Sequence, residues 1–145
     1  MQIGADCKLY RNTGTWGTPV WDEIPLVRDL QQNLSKGKAD ASNRGSGGWK
    51  ISIGTLKEGA LEFDIIWESG DADFEALRDS FFNDTVVDLA ALDMDVTTDG
   101  AQGLRAEMGV FEFSRAEQLE GLVTAAVKCS PGSITNSPVW MEVSA

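Results

Sequence analysis

The sequence predicts a mainly β domain, an antiparallel β-sandwich or barrel of about six to seven strands with one flanking α-helix. Three observations predict it. Apolar and polar residues alternate with period two through most of the chain after its first third. That period gives way to a helical one only once, at about 71–83. The 145 residues, 42% of them apolar with five Trp and six Phe, suit a single domain, 1–145, around one packed core.

In chain order, Lys8 to Tyr10 and Ile24 to Leu34 are the weaker strand candidates. Trp49, Ile51 and Ile53 then alternate with Lys50, Ser52 and Gly54. A turn at Lys57-Glu58-Gly59 leads to Leu61, Phe63, Ile65 and Trp67, which alternate with Glu62, Asp64 and Ile66, so the two runs read as a hairpin with one apolar face. Phe74, Leu77 and Phe81 recur at i, i+3 and i+7, the stripe of an amphipathic helix that Asp71 or Asp73 can cap and Asn83-Asp84 ends. Strand patterns resume at Val86 to Met94, Leu104 to Phe113 and Leu119 to Lys128.

The segment from Ser35 to Gly48 breaks the pattern. It is polar and Gly-rich with no apolar anchor, and reads as a long early loop at about 35–48, a length that in a compact domain signals function or disorder. Charge is concentrated there with the opposite sign to the rest. Lys36, Lys38, Arg44 and Lys50 against Asp40 give a local +3, whereas the rest of the chain, with net charge -11 overall, carries -14. The loop is electrostatically complementary to the protein's own body.

Such an acidic balance opposes a tight grip on phosphate, which depends on Lys and Arg displacing counterions. Nucleic acid is therefore expected only as something that slides past. Cys7 and Cys129 stand in no CxxC or Cys/His spacing, and are read as thiols without a zinc or redox role. The opening Met1-Gln2-Ile3-Gly4-Ala5-Asp6 shows neither a basic nor an apolar leader region, and no stretch approaches the ~20 apolar residues of a membrane span, so synthesis in a cytoplasm is expected.

Catalytic and cofactor motifs fail when tested. Gly54 to Gly59 has phosphate-loop spacing, but Ala60 and Leu61 follow in place of Lys and Ser/Thr, and a hairpin turn accounts for it. Gly45-Ser46-Gly47-Gly48 lacks dinucleotide-loop spacing. Asp93, Asp95 and Asp99 hint at a calcium loop, but Thr98 and Leu104 occupy the positions that need Gly and Glu. With no His in the chain, the commonest general base is missing. No catalytic residue, metal or cofactor is expected.

Trp49, Phe63, Trp67, Phe74 and Phe81 lie on strand or helix stripes and read as core. Trp16, Trp21 and Trp140 lie near Gly and Pro in terminal, loop-like segments, and read equally as interface anchors or as local staples.

The order of several short motifs resembles one family. Cys7-Lys8-Leu9-Tyr10-Arg11-Asn12, the run from Gly37 to Arg44, Gly48-Trp49-Lys50, and Leu56-Lys57-Glu58-Gly59 before Leu61-Glu62-Phe63 resemble phage tail tube proteins. Asp73-Phe74 through Asp79-Ser80-Phe81-Phe82, and Phe111-Glu112-Phe113-Ser114-Arg115 before Leu119-Glu120, continue the resemblance over nearly the whole chain. It implies a β-sandwich or barrel with a flanking helix, related to tube proteins of type VI secretion and contractile injection systems. It also implies self-association into stacked rings, usually hexameric, forming a hollow tube in a virion tail through which DNA passes. Other tail proteins follow as partners: tape measure, terminator, baseplate and sheath.

In such a family the early loop orders on assembly against the neighbouring ring. The resemblance places that role on Lys36, Gly37, Lys38, Asp40, Arg44, Gly47, Gly48, Trp49 and Lys50. Ordering costs about 1–2 kcal/mol per residue in backbone entropy, which new contacts must offset. Three alternatives stay open: an injection-system tube subunit, another tail component such as a terminator or spike adaptor, and a monomeric β-barrel holding a small ligand among its aromatics.

Overall fold

The computed structural model describes residues 4, 7–117, 119, 121–133 and 135–144. The opening stretch from Met1 to Asp6 lies, but for Gly4, outside the described residues, as does Glu120 of the resemblance. The described elements are β1 (Lys8–Asn12), β2 (Trp21–Glu23), β3 (Val27–Asp40), β4 (Ser52–Ile66), α1 (Ala72–Asn83), β5 (Val86–Leu92), β6 (Gln102–Ala116), β7 (Thr124–Pro131) and β8 (Val139–Glu142). The strands form one antiparallel sheet in the order β2-β1-β5-β6-β7-β4-β3, with β8 also paired to β6. The predicted class, mainly antiparallel β with one flanking helix, is the class observed.

Period-two patterning explains which face each strand buries. Leu61, Phe63 and Ile65 of β4, Leu89 and Ala91 of β5, Leu104, Ala106, Met108 and Val110 of β6, and Ala125, Val127 and Cys129 of β7 point into one core with Leu9 of β1. Phe74 and Leu77 of α1 close that core, and Phe74 meets Trp67 edge-on with ring centres 4.8 Å apart. The intervening residues Ala90 and Leu92 join Tyr10 in a second cluster on the opposite face, covered by Trp21, Met141 and Val143.

The helix starts where predicted. Asp71 caps it, its carboxylate accepting from the Phe74 amide at 3.0 Å, and Asp84 ends it in the left-handed region at φ 54. Asp73 does not cap. Buried in the first turn, it accepts from Arg11 of β1 at 2.7 Å. Burial, reinforced by the Asp22 charge, raises its carboxyl above the ordinary 3.8 despite Arg11. Phe81, read as core, is instead exposed beside Phe82, and buried Ser80 takes the inward position, donating to the Thr85 carbonyl at 2.6 Å.

The first half of the predicted hairpin is corrected. No turn forms at Lys57-Glu58-Gly59; these residues lie inside β4, which runs unbroken for 15 residues with Lys57 opposite Lys36 and Gly59 opposite Leu34. The hairpin partner of β4 is β3, and β7 is its neighbour on the other side. The predicted early loop is accordingly shorter, because Ser35 to Asp40 belong to β3 and the connection proper spans 41–51. Strands β2 and β8, three and four residues long, are additional to the expected set. Strand β7 starts at Thr124 rather than Leu119, and of the strand expected at Ile24 to Leu34 only the part from Val27 onward is strand, as the start of β3, with Ile24 buried ahead of it.

Candidate functional site

The inner part of the β3–β4 hairpin belongs to the sheet and the outer part leaves it. Beside β7, β4 pairs from Ile66–Thr124 to Leu61–Cys129, and beyond that point it has only β3. From Asn33 to Asp40 and from Ser52 to Glu58 every residue is exposed. The result is a two-stranded arm that extends roughly 20 Å past the body at ~3.3 Å per residue. Both of its faces are open, and an isolated hairpin of this kind is only marginally stable in water.

The arm's tip is built by local hydrogen bonds. Asp40 accepts from the Ser42 amide at 2.9 Å, and the Ser42 hydroxyl and amide hold the Asp40 carboxyl below its usual value. Asn43 caps the turn Arg44–Ser46 by accepting from the Gly45 amide, while the Ser46 hydroxyl accepts from the Asn43 amide. Gly47 and Gly48 follow at φ 64 and φ 85, the left-handed region that side chains disfavour, which explains the glycine run. The chain then returns through Trp49 and Lys50, and Ala41 donates to the Ile51 carbonyl to close the tip.

The structure therefore brings Lys36, Gly37, Lys38, Asp40, Arg44, Gly47, Gly48, Trp49 and Lys50 together on one projection. Among the described residues, ion pairs engage Lys8, Arg11, Arg78, Arg105, Arg115 and Lys128, and none engages Lys36, Lys38, Arg44, Lys50 or Lys57. Trp49, read as core, is 77% exposed. Leu34, Ile51, Ile53 and Leu56 are exposed as well, Leu56 at 82%. Sequence reading missed these last aliphatic residues as site candidates because their alternation reads as an ordinary half-buried strand. The arm thus carries bare apolar side chains and cations on one exposed projection.

The three tryptophans separate. Trp16 and Trp21 are half-buried and stack on Arg105, whose guanidinium lies 3.9 Å and 4.9 Å from their ring centres. These contacts tie the β1–β2 connection and the start of β2 to β6. Trp140 is 56% exposed, donates from Nε1 to Gln102, and lines a cleft of about 730 Å³ at the foot of the arm. Leu34, Lys36, Lys57, Leu104, Pro131 and Val139 form other parts of its wall.

The remaining expectations concern the acids and thiols. Asp95 accepts from the Thr97 amide and hydroxyl, and Asp93 from the Gln102 amide, so these carboxylates organise a turn. Among the described residues no three or more His, Cys, Asp or Glu converge as a metal site. Cys129 lies in the core, where burial pushes its thiol up to about 12. No described helix is long and apolar enough to cross a membrane.

No family model matches the sequence, and no curated protein is significantly similar to it. Solved structures share its fold. A chain in the tail of an empty gene transfer agent particle, refined with C6 symmetry, superposes with a TM-score of 0.72 at 16% identity, covering 99% of this chain and 100% of that one. A chain of the SPP1 tail tube gives 0.72 at 13%, covering 100% of this chain and 81% of that one. A chain of the anti-feeding prophage baseplate, in a six-fold symmetrised structure, gives 0.62 at 5%, covering 100% and 98%. The fold implied by the sequence resemblance is thus the fold observed.

Proposed function

We propose that this chain is a single-domain structural subunit of a phage-type tail tube, without enzymatic activity, whose copies join into stacked hexameric rings around a hollow channel. The observation that carries this reading is the arm. Its exposed apolar residues and its cations, +3 from Lys36 to Lys50 and in no ion pair among the described residues, project from a body carrying -14, and association covers both. Terminal strands β2 and β3 leave two sheet edges open for pairing between copies. Fold likeness to chains in a C6-symmetric tail and a tail tube, over the full length of this chain, supports the same reading.

In this role Lys36, Lys38, Arg44 and Lys50 attach each subunit to acidic surface on a neighbour, and Trp49 enters the contact. DNA passes as cargo through an acid-rich channel to which it does not stick. The finished tube belongs to a virion tail assembled in the host cytoplasm, where tape measure, terminator, baseplate and sheath proteins are its partners. Likeness to the anti-feeding prophage baseplate supports an injection-system tube as the second reading, and the higher TM-scores lie with the phage-type tails.

Electron microscopy and sedimentation over a concentration series test the proposal. Hollow tubes of uniform width are expected from the intact chain, and monomers from a variant in which residues 38–53 are replaced by an Asn-Gly turn. An intact chain that stays monomeric in every buffer and at every concentration overturns it.

A further inference from the structure

Resting on the tube reading, we propose that the β6–β7 turn of a second copy docks through Leu119 and Leu122 into the cleft at the foot of the arm. Leu119 is 102% exposed and Leu122 also stands in solvent, an uncovered apolar pair on one short turn. The cleft offers apolar walls in return, from Leu34, Leu104, Val139 and Trp140.

Charge favours the same match. Lys36 and Lys57 sit directly opposite each other across the β3–β4 ladder at the cleft wall, a like-charged pair that is unfavourable without a counterion. Among the described residues neither is in an ion pair, although Glu58 also lines the cleft. In the sequence Glu117 and Glu120 flank Leu119, and Glu117 is shared with Arg115 of its own chain.

The two surfaces stand at opposite ends of the molecule. Strands β6 and β7 meet their turn at Ala116–Thr124, whereas the cleft lies where Leu104 pairs with Trp140 and Met108 with Pro131. The length of β6 between Leu104 and Ala116 separates them by up to about 40 Å at ~3.3 Å per residue. One chain therefore cannot fill its own cleft. A knob and a socket at opposite ends make a heterologous contact, which propagates head to tail rather than closing as a dimer. The arm leaves the sheet at the cleft end, so it lies alongside the incoming copy.

Two sets of variants test this. Leu119→Asp and Trp140→Asp each alter an exposed position, and each is expected to raise the concentration needed for tubes about tenfold, the change produced by losing one modest apolar contact. Mixed together they retain one intact turn and one intact cleft, and give short paired species instead of tubes. Independently, Leu119→Cys with Val139→Cys in a Cys7→Ser background gives a ladder of disulfide-linked oligomers on oxidation. Wild-type-like tubes from both Asp variants, with no ladder from the Cys pair, overturn the docking contact while leaving the tube reading intact. Failure of the wild-type chain to assemble at all overturns both.

Discussion

Arg105 holds its guanidinium 3.9 Å from the centre of the Trp16 ring and donates to the Trp16 carbonyl at 2.8 Å. The same group donates to Asp88 at 2.8 Å, and Asn12 supplies a further hydrogen bond to that carboxylate. Both partners of the ion pair are largely buried, with side-chain exposures of 12% and 11%. Removing one side of such a pair leaves a buried charge unanswered. Arg105→Ala is therefore expected to lower unfolding free energy by about 3 kcal/mol and to change the tryptophan emission of the native state. Arg105→Lys keeps the charge but loses the planar fork, and falls between the two. Urea titration of the three proteins checks the order.

A second prediction concerns Asp73. Burial, helped by the Asp22 charge, raises its folded-state carboxyl above 3.8, outweighing the Arg11 guanidinium 2.7 Å away. A group with a raised folded value contributes stability that is fully present below its unfolded value and is lost as pH rises through the folded one. The stability of the wild type relative to Asp73→Asn is thus expected to be greatest below pH 3.8, to fall as pH rises just above it, and then to level off. Chemical denaturation of both proteins across the acid range up to neutrality measures the difference. A difference that grows in favour of the wild type with rising pH would show that Arg11 dominates.

Cys129 provides a chemical check on the core. Its thiol, buried on β7 and pushed up to about 12, stays protonated in mildly alkaline buffer and is shielded from reagents, whereas Cys7 is exposed. Iodoacetamide in such a buffer is expected to modify one cysteine in the native chain and both in urea, read by intact mass. Rapid modification of both in the native chain would contradict the packing of β7.

Much of this was legible where one face of an element is buried. Leu61, Phe63 and Ile65 announce a core strand because the alternation records a real difference between inside and outside. Phe74 and Leu77 announce the helix for the same reason. In the arm that difference vanishes, since neither face packs against the body. Ser35 to Asp40 therefore needs no apolar anchor to be a strand, and its pairing with residues 52–58 rests on backbone hydrogen bonds that composition does not record. Gly59, which reads as a turn, is a close-packed strand position instead, where an added Cβ would come within 3.2 Å of Leu34. Strands β2 and β8 are too short to display a period, and depend on β1 and β6 for their register.

The arm yields the last prediction, and it separates assembly from folding. Lys36, Lys38, Arg44 and Lys50 are exposed and form no ion pair among the described residues. Replacing all four by Glu should change monomer stability by no more than about 0.5 kcal/mol, as expected of surface positions away from packed features. It also reverses the sign of the arm facing a body that carries -14. Attraction between copies then becomes repulsion, so tubes should be lost in low salt although the circular dichroism and unfolding midpoint are unchanged. Because exposed charges are screened over about 8 Å at physiological ionic strength, raising salt should weaken wild-type assembly and relieve part of the variant's defect. Opposite salt responses of the two proteins would trace the effect to charge rather than to altered arm geometry. Normal tubes from the variant in low salt would exclude these four cations from the contact.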